Sequence, residues 1–388
     1  MNFDASEEQR LFAASIARFV ERDYTFEMRR RIVASPDGFS LDVWRTMAGM
    51  GMLGLPLPAS HGGFGGGAKD AMSLMEAIGT ALIVEPWLAT VALAAQLIAR
   101  GGSEAQRQRI LPAVVEGTLK LAFAYAEPGA RYTLAHVATR ARRDGDGYMI
   151  SGVKQAVPHA AAADALVVSV RTSGGDGDAN GISLLLVPRD APGMTLRPLR
   201  MLDGTRAADI VFDAVRVRAD ALVGVPDHAL PLIEEVVDFA TALVCAEAVG
   251  AIKSANDATL DYLKTRKQFG VPIGSFQALQ HRMVDLVIEC EQARSMASLA
   301  CSAVDTERDP FARSRTVSAA KLRIADACRR VSQESVQLHG GMGMSDELKV
   351  SHTFRRLTAI AQQFGDADHH LERFAALSDS REGCSWPD

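Results

Sequence analysis

Apolar residues recur at helical spacing from the start of the chain. Leu11, Phe12, Ile16, Phe19 and Val20 follow Ser6-Glu7-Glu8-Gln9, which reads as a capping box. The pattern predicts helices on to Leu111, broken near Gly51, Gly54, Pro56 and Pro58, with one helix over Ala68 to Ile83 and with Trp44 and Trp87 packed inside. After Gly117 the pattern changes. Leu121 to Tyr125, Val137 to Arg142, Tyr148 to Ser151, Ala165 to Arg171, Ile182 to Val187, Met194 to Leu199 and Ile210 to Val217 are short, β-rich runs. They are separated by turn formers such as Asp144-Gly145-Asp146-Gly147 and the loop from Ser173 to Gly181. So many strands in so short a stretch predict a small barrel or sandwich. From His228 the pattern is helical again. Leu232, Val236, Phe239, Leu243, Ala246 and Gly250 form one buried stripe, and helices follow at Gln277 to Val304, at Phe311 to His339 and from about Val350. The predicted domains are 1–118, 119–225 and 226–388.

A length of 388 residues agrees with two or three domains and is too great for one ordinary core. The chain is 48% apolar and 23% charged, a globular composition, and its net charge of −5 argues against nucleic acid as a partner. Five cysteines stand far apart with no CxxC pair, which predicts reduced thiols in a cytoplasmic protein. No apolar run reaches about 18 residues and the first ten are acidic, so neither a membrane span nor a signal peptide is expected. Gly62 to Gly67 contains five glycines, but no strand pattern precedes it and no GK[ST] follows. It reads as a connection between helices.

The chemistry concentrates in Tyr262 to Asp285, YLKTRKQFGVPIGSFQALQHRMVD. A long helix ends in the cationic turn Arg266-Lys267. Gln268, Phe269 and Gly270 follow, then a loop with Pro272 and Gly274, then a second helix near Phe276 and Gln277. Guanidinium and backbone N–H donors between two helix ends suit a diphosphate. Taken alone, the two charges equally suit a helix C-terminus. The whole string resembles the flavin-diphosphate segment of the acyl-CoA dehydrogenase family. PASHGGFGG (58–66), AEPGA (126–130), GDGYMISGVK (145–154), VRVRADALVG (215–224) and QLHGGMG (337–343) resemble other segments of that family, and the likeness covers residues 5 to about 375.

The resemblance implies an α+β multidomain fold: a helical N-terminal domain, a middle β-barrel or sandwich and a C-terminal four-helix bundle. It implies FAD as cofactor and an acyl-CoA thioester as substrate. Arg266, Gln268, Phe269, Phe276 and Gln277 would reach the FAD of a neighbouring subunit. Gln337, Gly340 and Gly341 would lie along its adenosine half, although the two glycines also suit a plain helix C-cap.

The family's reaction takes a proton from the α-carbon while a hydride leaves the β-carbon. It needs a carboxylate base, donors to the thioester oxygen and a placed flavin ring. On the ring side this sequence departs from the pattern. Ala126, Arg131 and Tyr132 stand where a threonine and a glycine-serine pair are usual. Ala156-Val157-Pro158-His159 replaces a run with a threonine donor, and proline has no hydroxyl or N–H to offer. His159 is the one donor left in that run. The two usual base positions hold Phe364, before Gly365, and Ala240, before Thr241 in place of an arginine that helps hold CoA. The remaining acids are Asp366 and Glu247, with Asp238 and Asp368 nearby. Glu247 lies two helical turns, about 10 Å, beyond Ala240. Asp366-Ala367-Asp368-His369-His370 reads as a polar helix start, because adjacent histidines on a helix diverge by about 100° and chelate poorly. No metal site is expected.

One half of the flavin site is kept and the other is eroded. That asymmetry predicts a subunit of a heteromeric, steroid-type acyl-CoA dehydrogenase, a tetramer in which a paralogous chain supplies the base and an electron-transfer flavoprotein takes the electrons. The alternatives are a self-sufficient homotetramer with an unusual base, a flavin monooxygenase of the same fold, and a non-catalytic structural subunit.

Overall fold

In the computed structural model, residues 7–379 are described. Six helices come first: α1 (Glu7–Arg22), α2 (Phe26–Ala34), α3 (Leu41–Gly49), α4 (Ala68–Ala81), α5 (Ala95–Gly101) and α6 (Glu104–Val115). The starts of two are fixed locally. Ser40 accepts from the Val43 amide, and Ser103 and Gln106 cap each other's backbone N–H. A π-helical turn, Leu88–Ala94, leads into α5. The capping box at Ser6 falls outside the described residues.

Eight strands follow: β1 (Leu121–Ala124), β2 (Arg140–Asp144), β3 (Gly147–Pro158), β4 (Ala165–Arg171), β5 (Ile182–Pro188), β6 (Met194–Arg200), β7 (Arg206–Arg218) and β8 (Leu222–Val223). They form one sheet in the order β6-β7-β3-β2-β4-β5-β8, with β1 parallel beside β4. The chain then runs through α7 (Leu230–Thr265), a hairpin of β9 (Lys267–Gln268) and β10 (Val271–Pro272), α8 (Gln277–Thr306), α9 (Pro310–His339), α10 (Lys349–Gln362) and α11 (Ala367–Asp379).

Three strand boundaries differ from the expectation by three residues or more. β2 begins at Arg140 because Ala138 and Thr139 give their amides to the Glu127 carboxylate instead of to a neighbouring strand. β3 runs on to Pro158 and β7 starts at Arg206, since β3 bends through two register shifts and keeps its pairing as far as Pro158 with Ala207.

The chain divides into two compact units. One comprises Ile32–Gly67 and Val84–Ala240. Its sheet buries Ala122, Ile150, Val157, Leu166, Val168, Leu185 and Phe212. Trp44 and Trp87 are buried within it, their indole N–H groups donating to the Gly117 and Met52 carbonyls. Beneath the sheet Lys154 is wholly buried, 2.6 Å from Glu127 and 2.9 Å from Ser169 Oγ. The other unit comprises residues up to Arg31, Ala68–Ile83 and Thr241 onward. Here α4 and α7 touch backbone to backbone. A Cβ on Gly79 would lie 1.9 Å from the Glu247 carbonyl oxygen, and one on Gly250 would lie 1.8 Å from that of Glu76. Only glycine allows this approach.

Candidate functional site

The cationic turn at the end of α7 folds as a two-residue β-hairpin. Gln268 pairs with Val271, Lys267 with Pro272, and the tip is Phe269-Gly270 with φ of +54° and +80°. Both central residues are left-handed, as a type I′ turn requires. Glycine adopts this freely, but for a bulky residue such as Phe269 it is strained. Phe269 is nonetheless 91% exposed, and its ring meets that of Phe276 edge-on at 6.1 Å. The Ile273 amide donates to the Arg266 carbonyl at 2.8 Å and closes the hairpin base. Among the described residues, the side chains of Arg266, Lys267, Gln268 and Gln277 make no hydrogen bond or ion pair, and all four are exposed.

The second segment lies close by. α9 ends at His339, and the Gly340 amide returns to the Gln337 carbonyl, with Gly340 at a positive φ of +60°. Gln337, Gly340 and Gly341 are exposed, and nothing stands within 4 Å of a Cβ placed on either glycine. Two contacts tie this turn to the hairpin's flanking helices. Tyr262 stacks on His339 with ring centres 4.5 Å apart, and Arg282 donates to Glu334 at 2.7 Å. All eight residues expected on the diphosphate side therefore lie at the ends of neighbouring helices. No sequence signal marks Tyr262 or His339, although both lie inside the quoted strings.

The candidate acids have other occupations. Glu247 is 2% exposed, and both its oxygens accept from Arg356, at 2.6 and 2.8 Å. Asp366 accepts from the His369 amide at 2.9 Å and caps α11. Ala240 is fully buried. Phe364 sits in left-handed backbone at φ +62°, in a turn held from beneath by the wholly buried Lys321. The Lys321 ammonium donates to the Gly365 and Ala361 carbonyls at 2.7 and 3.2 Å, and His370 Nε2 donates to that of Phe364 at 3.1 Å. Burial, with the neighbouring Lys321 charge, pushes His370 down to about 2, so it stays neutral. Burial also lowers Lys321. Nothing in the sequence pattern marks this lysine as an inward one. Among the described residues no three His, Cys, Asp or Glu side chains gather as a metal would need.

In the sheet unit, the positions expected near a flavin ring are irregular backbone. Arg131, Ala156 and His159 have φ of +48°, +49° and +55°. The Gln155 amide donates to the Ala126 carbonyl and that of Ala156 to Asp209. His159 is buried, and Pro158 closes its strand without a donor.

Three sequence profiles match this chain in order: the acyl-CoA dehydrogenase N-terminal domain over residues 6–118, the middle domain over 122–215 and the C-terminal domain over 230–377. The chain belongs to the acyl-CoA dehydrogenase family. The probable acyl-CoA dehydrogenase YngJ of Bacillus subtilis is 31% identical over 378 residues, covering 96% of this chain and 98% of the relative. Among solved structures, a chain of a Tcur3481-Tcur3483 steroid ACAD variant is 30% identical with a TM-score of 0.86, covering 97% of this chain and 99% of that one. A chain of the ChsE4-ChsE5 complex from Mycobacterium tuberculosis is 26% identical with a TM-score of 0.87, covering all of both.

As an acyl-CoA dehydrogenase the chain is an oxidoreductase of a family that dehydrogenates acyl-CoA, and its cofactor is FAD. Its own residues fit that cofactor unevenly. The donor set of Arg266, Lys267, Gln268, Gln277 and Gln337, with open backbone at Gly340 and Gly341, has the chemistry for a dinucleotide's sugar-phosphate end. At the positions expected near its ring, Pro158 and Ala126 carry no side-chain donor. No described helix is long and apolar enough to cross a membrane.

Proposed function

We propose that this chain is one subunit of a heteromeric FAD-dependent acyl-CoA dehydrogenase, lending its hairpin and its 337–341 turn to a flavin held mainly by a sister chain. The observation behind this is the hairpin tip. A strained aromatic at 91% exposure, beside four polar side chains without partners, has no use within the chain itself. Strain of this kind persists where something outside needs the side chain in that place.

FAD held there would supply the hydride acceptor for the thioester β-carbon. The Arg266 guanidinium and Lys267 ammonium would offset the diphosphate charge, and the Gln268 and Gln277 amides would donate to it. Phe269 and Phe276 would cover it from water, and Gly340 and Gly341 would let the adenosine approach the backbone. The sister chain would supply the base, because the two usual base positions hold Phe364 and Ala240 here, while Glu247 and Asp366 are engaged with Arg356 and with α11.

The likeness to a chain described as part of a steroid ACAD supports a bulky or steroid-derived acyl-CoA as substrate. The tetramer would be cytoplasmic and pass its electrons to an electron-transfer flavoprotein. The test is co-expression with a paralogous dehydrogenase from the same genome, followed by turnover of acyl-CoA with a dye acceptor. The pair should turn over, this chain alone should not, and Arg266→Ala in this chain should strip flavin from the pair. Turnover by the lone chain at the rate of the pair contradicts the proposal.

A further inference from the structure

We infer that Tyr262 and His339 are positioning residues that set the spacing between the two flavin-facing segments. The inference rests on the reading that those segments serve a flavin. Tyr262 lies one turn before the end of α7, and its carbonyl accepts from the Arg266 amide at 2.8 Å, so its placement is passed directly to the base of the hairpin. His339 is the last residue of α9, immediately before Gly340 and Gly341.

The His339 ring is fixed on its own helix, with Nδ1 2.8 Å from the Ser335 carbonyl. A carbonyl only accepts, so Nδ1 is a donor here. The orientation of the ring is thereby set, and its flat face lies against Tyr262 at 4.5 Å with 26° between the planes. His339 is buried and Tyr262 half-buried, so this contact is largely shielded from water. The other tie between these helix ends, Arg282 with Glu334, has side chains 38% and 34% exposed, where an ion pair contributes little. The stack is therefore the better shielded of the two contacts, and it joins the last turn before the hairpin directly to the residue before the glycine turn. One rigid dinucleotide can then be gripped at both its diphosphate and its adenosine.

The experiment titrates FAD, by quenching of flavin fluorescence, into the chain as purified and into the assembly formed with its co-expressed paralogue. Tyr262→Leu should raise the FAD dissociation constant about fivefold, the factor that loss of an aromatic stack implies. Tyr262→Phe keeps the ring and should bind as the parent does. If Tyr262→Leu does not fold, His339→Leu reads the same contact from the other side. A purely structural role would lower the thermal midpoint and leave the affinity measured well below that midpoint unchanged. Arg266→Ala separates failure of the positioning role from failure of the flavin reading. If Arg266→Ala weakens FAD binding and neither Tyr262→Leu nor His339→Leu does, the positioning role is wrong and the flavin reading stands. If Arg266→Ala has no effect, or neither preparation binds FAD, the flavin reading fails and this inference with it.

Discussion

Replacing Phe269 with asparagine should stabilise the hairpin and weaken flavin retention at the same time. At φ +54° a phenylalanine carries a left-handed penalty of about 1–2 kcal/mol, which asparagine largely avoids. Asn-Gly is also the preferred pair for a type I′ turn. The substitution removes an edge-on contact with Phe276, but at 91% exposure that contact is worth about 0.5 kcal/mol at most. The net gain is therefore about 1 kcal/mol, roughly a fivefold shift in the local opening equilibrium. Hydrogen exchange reads it at the Ile273 amide, which bonds to the Arg266 carbonyl and should exchange about five times more slowly. In the assembly, loss of a central aromatic contact should raise the FAD dissociation constant about tenfold. Opposite signs are the diagnostic result. Faster exchange at Ile273, or unchanged FAD affinity in the assembly, would refute the view that this aromatic is strained for the sake of a partner's flavin.

Three other predictions concern the scaffold. Gly250→Ala would place a methyl 1.8 Å from the Glu76 carbonyl oxygen, forcing α4 and α7 apart at a cost of about 3 kcal/mol; a parental melting midpoint would contradict this. Lys154→Met leaves the buried Glu127 carboxylate without its cation and should destabilise the sheet unit by about 3–5 kcal/mol, read as a lower denaturation midpoint. Acid should destabilise the parent through His370, whose folded value of about 2 lies below its ordinary 6.5. With the folded value depressed, the unfolded chain binds the extra proton first, so the stability present above pH 6.5 falls by about 1.4 kcal/mol per unit below it. His370→Gln should flatten the slope of melting midpoint against pH between about 6.5 and 4.5, and an unchanged slope would show that His370 does not contribute it.

What can be read from the sequence depends on whether local pattern or tertiary packing decides the conformation. The helices from Gln277 and toward His339 follow their apolar periodicity and appear within a few residues of expectation. The run Ala165–Arg171 is legible as a strand because its boundaries coincide with turn residues. The β-hairpin at residues 267–272 is not, because phenylalanine is no turn former and strands of two residues carry no alternation. The extension of β3 to Pro158 is equally hidden, since its register shifts break the period on which a strand is recognised. The π-helical turn at Leu88–Ala94 lies in an apolar stretch with no polar face to betray it. At the site, the residues of the hairpin and the glycine turn can be named in advance, but their juxtaposition through Tyr262 and His339 cannot. The engagement of Glu247 by Arg356, 109 positions away, is out of reach of any local reading. Lys321 is likewise invisible, because a lysine on an amphipathic helix reads as solvent-facing until the carbonyls of the 361–365 turn are seen to surround it.

The assignment as a flavin-lending subunit is tested most sharply by the ratio of visible to ultraviolet absorbance, giving FAD per polypeptide, for this chain purified alone and purified with its paralogue. Little flavin is expected on the lone chain, and about one FAD for every two polypeptides in the pair. One tightly held FAD per copy of the lone chain would contradict the assignment.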